Sequence, residues 1–234
     1  MRTHRLELTD ATLREWQATV LHSTAEDGIV LDRSAFFPGG GGQPPDEGVL
    51  LWGGVRTRIV GCRKADELYL IAADGDPVPP PGTTVAGALD DPRRTALMRT
   101  HSAMHLLCGV VSRDYGVLAT GGSMDVLTGR MDFGLDVLPD GFLDSVQAAC
   151  LVEIEADRSI EVSEVPRAEA VIKTAIDLLP EGLEVVRIVD ILGLDRQADG
   201  GTHVSSTAFI GGMRLLKTES KGKGFRRLRF ALEP

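Results

Sequence analysis

Before residue 74, apolar and polar positions alternate in short runs separated by turn residues, which is the pattern of β-strands. Each run is four to six residues long and is bounded by Gly, Asp or Pro. The runs lie at Arg5–Leu8, Gln17–Leu21, Ile29–Asp32, Gly48–Trp52, Val55–Val60 and Leu68–Ala72. Strands this short and closely spaced predict a small antiparallel barrel or sandwich.

A proline-rich segment, residues 74–82, follows these strands. Proline fixes φ and lacks a backbone donor, so the segment cannot continue a helix or a central strand. The sequence therefore predicts a domain boundary here, with a barrel-like domain at residues 1–84 and a second domain at residues 85–234.

Beyond a predicted strand at Val85–Leu89, the apolar period changes from 2 to 3.6. Asp91 and Pro92 predict a helix N-cap and the first helical position, and this helix is expected to end near Tyr115-Gly116. Its predicted buried stripe consists of Leu97, His101, Met104, His105, Cys108 and Val111. A second helix is predicted at about Phe142–Asp157 and a short one near Glu169–Ile176. Further strands are predicted at Ile160–Val165, Glu184–Val189, Ala208–Leu215 and Arg226–Leu232. The second domain is thus α+β, with helices packed on a largely antiparallel sheet.

Composition narrows the class of protein. The chain has 234 residues, of which 43% are hydrophobic and 25% charged, values that exclude a disordered or fibrous protein. Its three cysteines, Cys62, Cys108 and Cys150, are widely spaced, so neither a disulfide framework nor a four-cysteine zinc ribbon is expected. The polar N-terminus and the lack of a long apolar run favour a soluble, cytoplasmic protein that does not enter a membrane.

Charge is unevenly distributed along the chain. The net charge of -9 argues against indiscriminate binding to nucleic acid. The segment from Arg214 to Phe230, however, carries seven cations and one acid, a net charge of +6, which leaves -15 for the rest. A solvated strand pair explains such a run, and so does an interface for phosphates.

The candidate chemistry begins with His101 and His105. Because they are four residues apart on a helix, their side chains project in the same direction and can share a metal ion. The metalloprotease motif is excluded, since Ser102 follows His101 and no glutamate lies between the two histidines. A pair of satisfied core histidines is the alternative interpretation.

A further acid and histidine occur in the segment Asp199-Gly200-Gly201-Thr202-His203. Two glycines between them predict a tight turn that can direct both side chains to one ion. The spacing therefore predicts a metal site made of His101, His105, Asp199 and His203. A hairpin turn with an exposed histidine is the alternative.

The loop from Phe36 to Gly48 contains four consecutive glycines, Gly39 to Gly42. It lacks the Lys-Ser/Thr of a phosphate-binding loop, and Pro44 occupies the position of the third glycine in a dinucleotide fingerprint. No nucleotide cofactor is therefore expected. The bare backbone of the glycines suits close approach by a ligand or by another part of the chain, and a flexible surface loop is the alternative.

Together these motifs resemble a known family. His101-Ser102-Ala103-Met104-His105, then Gly200-Gly201-Thr202-His203-Val204, with the upstream loop Phe37-Pro38 through Gly42-Gln43-Pro44 and Asp46, are similar to the editing domain of alanyl-tRNA synthetase and to the free-standing AlaX proteins. The resemblance spans nearly the whole chain and includes the segment from Glu219 to Gly224.

The resemblance implies an α+β fold, with a small N-terminal antiparallel β-barrel followed by a domain like the editing region of threonyl- and alanyl-tRNA synthetases. It also implies a zinc-dependent hydrolase that acts in trans and removes serine or glycine from mischarged tRNA(Ala). Its partner would be the tRNA(Ala) acceptor end, with no part for DNA. On this basis Ser34, Gly41, Gly42 and Gln43 are expected to line the substrate pocket, and Lys221, Lys223, Arg226 and Arg227 to bind tRNA.

The sequence departs from the family pattern at two positions. Asp199 stands where the family has cysteine, and Ser34 where it usually has threonine. A carboxylate keeps the charge of a thiolate but is a harder ligand, so Zn²⁺ or another divalent ion is expected. Two other functions stay open: a tRNA-binding relative that has lost catalysis through Asp199, and a metal-dependent hydrolase of a small ester or amide.

Overall fold

The computed structural model of the protein describes residues 3–24, 26–172, 179 and 181–234. The chain divides into two compact units, one extending to Thr95 and the other beginning at Ala96. In the part of the chain that is described, no helix is both long and apolar enough to cross a membrane.

The first unit contains a closed barrel. Its strands, in chain order, are β1 (His4–Arg5), β2 (Glu15–Thr24), β3 (Gly28–Leu31), β4 (Arg33–Ser34), β5 (Gly48–Trp52), β6 (Val55–Lys64), β7 (Leu68–Ala72) and β8 (Thr84–Leu89). The barrel order is β2-β3-β7-β6-β5-β8, with antiparallel neighbours, while β1 and β4 form a separate parallel pair. Alternation fills the interior: Trp16, Ala18 and Val20 of β2 are buried. The predicted small antiparallel barrel is confirmed.

Two details of this unit differ from the sequence analysis. The strand predicted at Arg5–Leu8 is limited to His4–Arg5, and Leu6–Leu8 form a 3-10 turn whose Leu6 carbonyl accepts from Thr9 and Asp10. In addition, β8 pairs with β2 and β5 and so belongs to the barrel, whereas the boundary after residue 84 assigned it to the second domain. The first unit therefore continues past the proline-rich segment, through β8 and into the start of α1, to Thr95.

Helix α1 (Asp91–Tyr115) begins one residue earlier than predicted. Asp90 is the N-cap, because its Oδ1 accepts from the Arg93 backbone N–H at 3.1 Å and its carbonyl from the Arg94 N–H at 2.9 Å. The helix is buried on all sides from Thr100 to Val111, not along the predicted stripe alone.

The second unit is α+β, as predicted. Its other elements are β9 (Ala119–Asp125), β10 (Thr128–Phe133), α2 (Phe142–Glu155), β11 (Ile160–Pro166), β12 (Val185–Ile191), β13 (Asp195–Ala198), β14 (Met213–Ser220) and β15 (Arg226–Leu232). They form antiparallel sheets with the orders β14-β15-β10-β9 and β11-β12-β13. Gln147 of α2 bonds the edge strand β14 through the Met213 carbonyl at 2.8 Å and the Leu215 N–H at 2.6 Å.

One predicted strand of this unit begins at a different residue, and other elements were not predicted. The strand predicted at Ala208–Leu215 starts at Met213, because Thr207–Ile210 form a 3-10 turn and Gly211 follows with φ 74°. The hairpin β9–β10 and the strand β13 were not predicted. The short helix predicted near Glu169–Ile176 extends outside the described residues, and Arg167–Glu169 form a 3-10 turn.

Candidate metal centre

The four predicted metal ligands converge in the second unit. His101 and His105 come from the fully buried part of α1. Asp199 and His203 come from the turn after β13, which is attached to β12 by a 3.1 Å bond from the Asp199 N–H to the Arg187 carbonyl. Inside the turn, the Gly201 N–H donates to Asp199 Oδ2 at 2.6 Å, so the carboxylate closes the turn on its own backbone.

The distances are those of a cluster that could hold one ion. One donor atom from each of the four residues lies within 4.8 Å of the others. His203 Nε2 is 3.0 Å from Asp199 Oδ2, and His101 Nε2 is 3.6 Å from Asp199 Oδ1. Ligand bonds of 2.0–2.2 Å in a tetrahedron separate donor atoms by roughly 3.3–3.6 Å, which falls within the observed range. All three histidines are less than 10% exposed (2%, 7% and 6% in chain order).

The electrostatics favour a neutral imidazole at two of the histidines and an ionised carboxylate. Burial lowers the pKa of His101 well below its usual value and that of His203 to about 4. Burial acts to raise the pKa of Asp199, but the neighbouring imidazoles of His101 and His203, the latter hydrogen-bonded to the carboxylate, outweigh it and hold the pKa well below its usual value. These are the protonation states in which the groups bind a cation.

His105 differs from the other two histidines. Burial lowers its pKa, but the hydrogen bond to Asp195 and the charge of Asp199 outweigh burial, so the pKa is raised. The Asp195 carboxylate lies 3.1 Å from His105 Nδ1 and is 2% exposed. Asp195 was not predicted, because the sequence distinguishes it from the other acids only by its position four residues before Asp199.

Ser102 is a second buried residue that contacts a candidate ligand and was not predicted from the sequence. Its hydroxyl oxygen lies 3.2 Å from His203 Nδ1 and accepts from the Val204 N–H at 3.2 Å. Arg187 also lies against the turn, where its Nη1 donates to the Asp199 carbonyl at 2.8 Å, and its charge contributes to the lowered pKa of His203. With Nδ1 occupied, His203 turns Nε2 towards Asp199.

The glycine-rich loop belongs to the first unit. Gly40 and Gln43 exchange backbone hydrogen bonds at 3.0 and 2.9 Å, and all four glycines have positive φ, from 60° to 133°. Gly41 and Gly42 are exposed, whereas Ser34 and Gln43 are buried. Their predicted contact with substrate stays a prediction.

The predicted tRNA-binding cations lie on and beside the β14–β15 hairpin turn. Lys221 and Lys223 are exposed in the turn itself. Arg227 forms two 2.7 Å hydrogen bonds with the Asp132 carboxylate, and Arg226 donates to the Phe225 carbonyl at 3.1 Å. The two lysines therefore have the more open side chains.

A closed β-barrel, followed by an α+β unit with paired helix histidines and an acid-glycine-glycine-threonine-histidine turn, defines a protein of the synthetase editing-domain class. The model of the "Threonyl and Alanyl tRNA synthetase second additional domain" matches residues 186–229. That range includes Asp199 and His203 and runs from β12 into β15.

Similar proteins match nearly the entire chain. The alanyl-tRNA editing protein AlaX-M of Saccharolobus solfataricus is 33% identical over 240 residues, covering 99% of this chain and 100% of the relative. AlaX-M of Methanosarcina barkeri is 34% identical, covering 98% and 99%. The alanine-tRNA ligase of Pyrococcus furiosus is 32% identical, covering 98% of this chain and 26% of the ligase. The chain belongs to the family of free-standing alanyl-tRNA editing proteins, which is similar to the editing region of alanyl-tRNA synthetase.

Proposed function

We propose that this protein is a cytoplasmic trans-editing hydrolase that cleaves the ester of mischarged tRNA(Ala), removing serine or glycine. The observation that carries the proposal is the buried cluster of His101, His105, Asp199 and His203, whose donor atoms lie within 4.8 Å of one another. Its occurrence in a chain that matches AlaX-M proteins over their full length supports editing over an unrelated hydrolysis.

The cluster would hold Zn²⁺ or another divalent ion through three imidazole nitrogens and one carboxylate oxygen. When bound, such an ion supplies Lewis acidity and lowers the pKa of a bound water. The residues contribute one negative charge, from Asp199, so the loaded site would keep a net positive charge beside the substrate carbonyl.

Recognition of the substrate is assigned to the chain's remaining predicted residues. Ser34 and the loop residues Gly41, Gly42 and Gln43 would contact the aminoacyl end, and Ser34 would retain a hydroxyl while widening the pocket relative to threonine. A buried group bonded to the serine hydroxyl would reject alanine, which leaves that group unpaired.

The tRNA backbone would be held by the hairpin cations. Lys221 and Lys223, which are exposed, would contact phosphates directly. Arg227 is fixed by Asp132 and Arg226 by the Asp136 carbonyl, so these arginines would present oriented guanidinium groups. Neutralising the two lysines should therefore weaken binding at every tRNA sequence alike.

The test is deacylation of serine-, glycine- and alanine-charged tRNA(Ala) by the purified protein, with and without added zinc. Hydrolysis of a mischarged species with Ala-tRNA(Ala) spared is expected. His101→Ala should abolish turnover and reduce metal content, while His22→Ala, which changes an exposed barrel histidine, should change neither.

Two outcomes favour other functions. The second candidate is a tRNA-binding protein without catalysis, which the Asp199 carboxylate in place of the family's cysteine favours. Salt-sensitive tRNA binding with no turnover under any divalent metal would establish this second function. Hydrolysis of small esters that is unaffected by neutralising Lys221 and Lys223 would instead indicate a small-molecule hydrolase. Full activity of His101→Ala with unchanged metal content would contradict the assignment of the site.

A further inference from the structure

The buried carboxylate of Asp195 is placed where it can act on the metal centre without joining it. Its Oδ2 lies 3.1 Å from His105 Nδ1 and accepts from Gln197 Nε2 at 2.7 Å. A carboxylate accepts hydrogen bonds, so this contact places the ring proton on Nδ1 and leaves Nε2 of His105 with its lone pair. Nε2 is the nitrogen available to the cluster.

A glycine in the middle of α1 permits this contact. Gly109 lies four residues after His105, on the same side of the helix. A Cβ at this position would come within 2.7 Å of Leu194 Cγ and 3.1 Å of Asp195 Cβ. Glycine inside a helix is less favourable than alanine, because its backbone loses more conformational freedom on folding. The close approach of β13 to α1 is therefore maintained against the helix propensity of the sequence.

We propose that Asp195 is the positioning residue of the metal centre, and that the missing side chain of Gly109 allows it to reach His105. Asp195 fixes the tautomer and orientation of His105 and raises the basicity of the His105 Nε2 atom. The inference rests on the proposed metal site. Carboxylate–histidine–metal arrangements of this kind affect metal affinity by about 10- to 100-fold when the carboxylate is removed. Asp195 contacts neither the substrate nor the ion in this role.

The positioning role of Asp195 can be distinguished from a purely structural role by its effect on metal affinity. Were Asp195 only a fold-stabilising acid, its loss would lower stability and leave the metal affinity of the folded protein unchanged. Asp190 provides a matched comparison, because it lies on the neighbouring strand β12 and pairs with Arg196. Asp190→Asn removes a carboxylate from the same sheet at a site whose partner is not a histidine.

The experiment measures Zn²⁺ affinity by competition with a chromophoric chelator, and the visible spectrum of the Co²⁺-loaded protein. The variants are Asp195→Ala, Asp195→Asn, Gly109→Ala and the control Asp190→Asn, each checked for folding by circular dichroism. Asp195→Ala should weaken zinc binding about 10- to 100-fold and alter the Co²⁺ bands. Asp195→Asn keeps an oxygen that can accept the Nδ1 proton, so its loss of affinity should be smaller.

Gly109→Ala tests the position of the Asp195 carboxylate separately from its chemistry, because neither His105 nor Asp195 is substituted. Helix propensity alone predicts that alanine stabilises α1. The close approach predicts instead that zinc affinity falls, because the methyl group pushes Asp195 away from His105.

The outcomes distinguish failure of the positioning role of Asp195 from failure of the metal site itself. Tight zinc binding by the wild type with unchanged affinity and Co²⁺ spectrum in the Asp195 variants overturns the positioning role and leaves the proposed function standing. Failure of the wild type to bind zinc or cobalt overturns the metal site and this inference with it. If Asp195→Ala does not fold, Asp195→Asn and Gly109→Ala decide together, since affinities equal to that of Asp190→Asn in both variants would refute the proposal.

Discussion

The glycine-rich loop is held at its base by a buried ion pair whose disruption should have a large effect. Arg94 and Asp46 have side chains that are 0% and 1% exposed. Arg94 Nε lies 3.0 Å from both Asp46 carboxylate oxygens, and Nη2 also bonds Oδ2. Asp46 Oδ2 accepts in addition from the Phe37 N–H at 2.7 Å. Phe37 and Asp46 flank the loop, so one carboxylate joins its two ends.

Asp46→Ala should lower the free energy of unfolding of the barrel unit by about 3–5 kcal/mol, because a buried guanidinium then lacks its counter-charge. The remaining side-chain hydrogen bonds of Arg94 go to neutral carbonyls, Ala11 at 3.0 Å and Ala35 at 2.6 Å, which solvate the cation without neutralising it. With a urea m-value of about 1–3 kcal/mol/M, the midpoint should fall by about 1 M or more.

Tryptophan fluorescence in urea reports this change selectively, since both tryptophans of the chain, Trp16 and Trp52, lie in the barrel. The double variant Asp46→Ala/Arg94→Met should recover part of the loss, because it removes the unpaired charge. Asp76→Ala, which breaks a pair with the exposed Arg58, should move the midpoint far less. A midpoint for Asp46→Ala equal to that of Asp76→Ala would refute the reasoning.

Three further predictions concern the second unit. Asp199→Cys should bind Zn²⁺ more tightly than the wild type, because thiolate is the softer ligand, and chelator competition measures this; equal or weaker affinity would contradict it. Lys221→Gln/Lys223→Gln should reduce the slope of log affinity for tRNA against log salt by about 2, whereas Lys64→Gln in the barrel should not reduce it. The pKa of His203 is lowered to about 4 by burial, below the ~6.5 of an unfolded chain. Because unfolding then takes up a proton, the metal-free protein should lose stability as the pH falls from about 6.5 towards 4, a loss that urea midpoints should show to be smaller in His203→Gln.

The barrel was predictable because its signal is local. Alternation of buried and exposed positions along β2, together with glycine and proline turns, indicates strands without knowledge of their partners. The hairpin β9–β10 lacks that signal: its first strand reads Ala-Thr-Gly-Gly-Ser-Met-Asp, with few residues that favour strands. β9 is a strand because it pairs with β10. β10 pairs in turn with β15, about a hundred residues later, along Thr128–Phe133. Such pairing leaves no mark on the local sequence.

The candidate ligands were predictable for a similar reason. His105 follows His101 by four positions and His203 follows Asp199 by four, and this spacing places each pair together within one element or turn. The residues that orient them were not predictable. Asp195 is one acid among many until the β12–β13 register brings it to α1, and Gly109 reads only as a weak helix position.

The replacement of the family's cysteine by Asp199 can be interpreted from the geometry of the turn. A thiolate offers one donor atom, whereas the carboxylate has two oxygens with different surroundings. Oδ2 accepts from the Gly201 N–H at 2.6 Å and lies near His203, while Oδ1 faces His101 Nε2 at 3.6 Å. One oxygen can thus close the turn while the other is offered to the ion. The substitution therefore preserves the negative charge of the site. It also closes the turn through the hydrogen bond from the Gly201 N–H, which a thiolate would form less strongly because sulfur is the weaker acceptor.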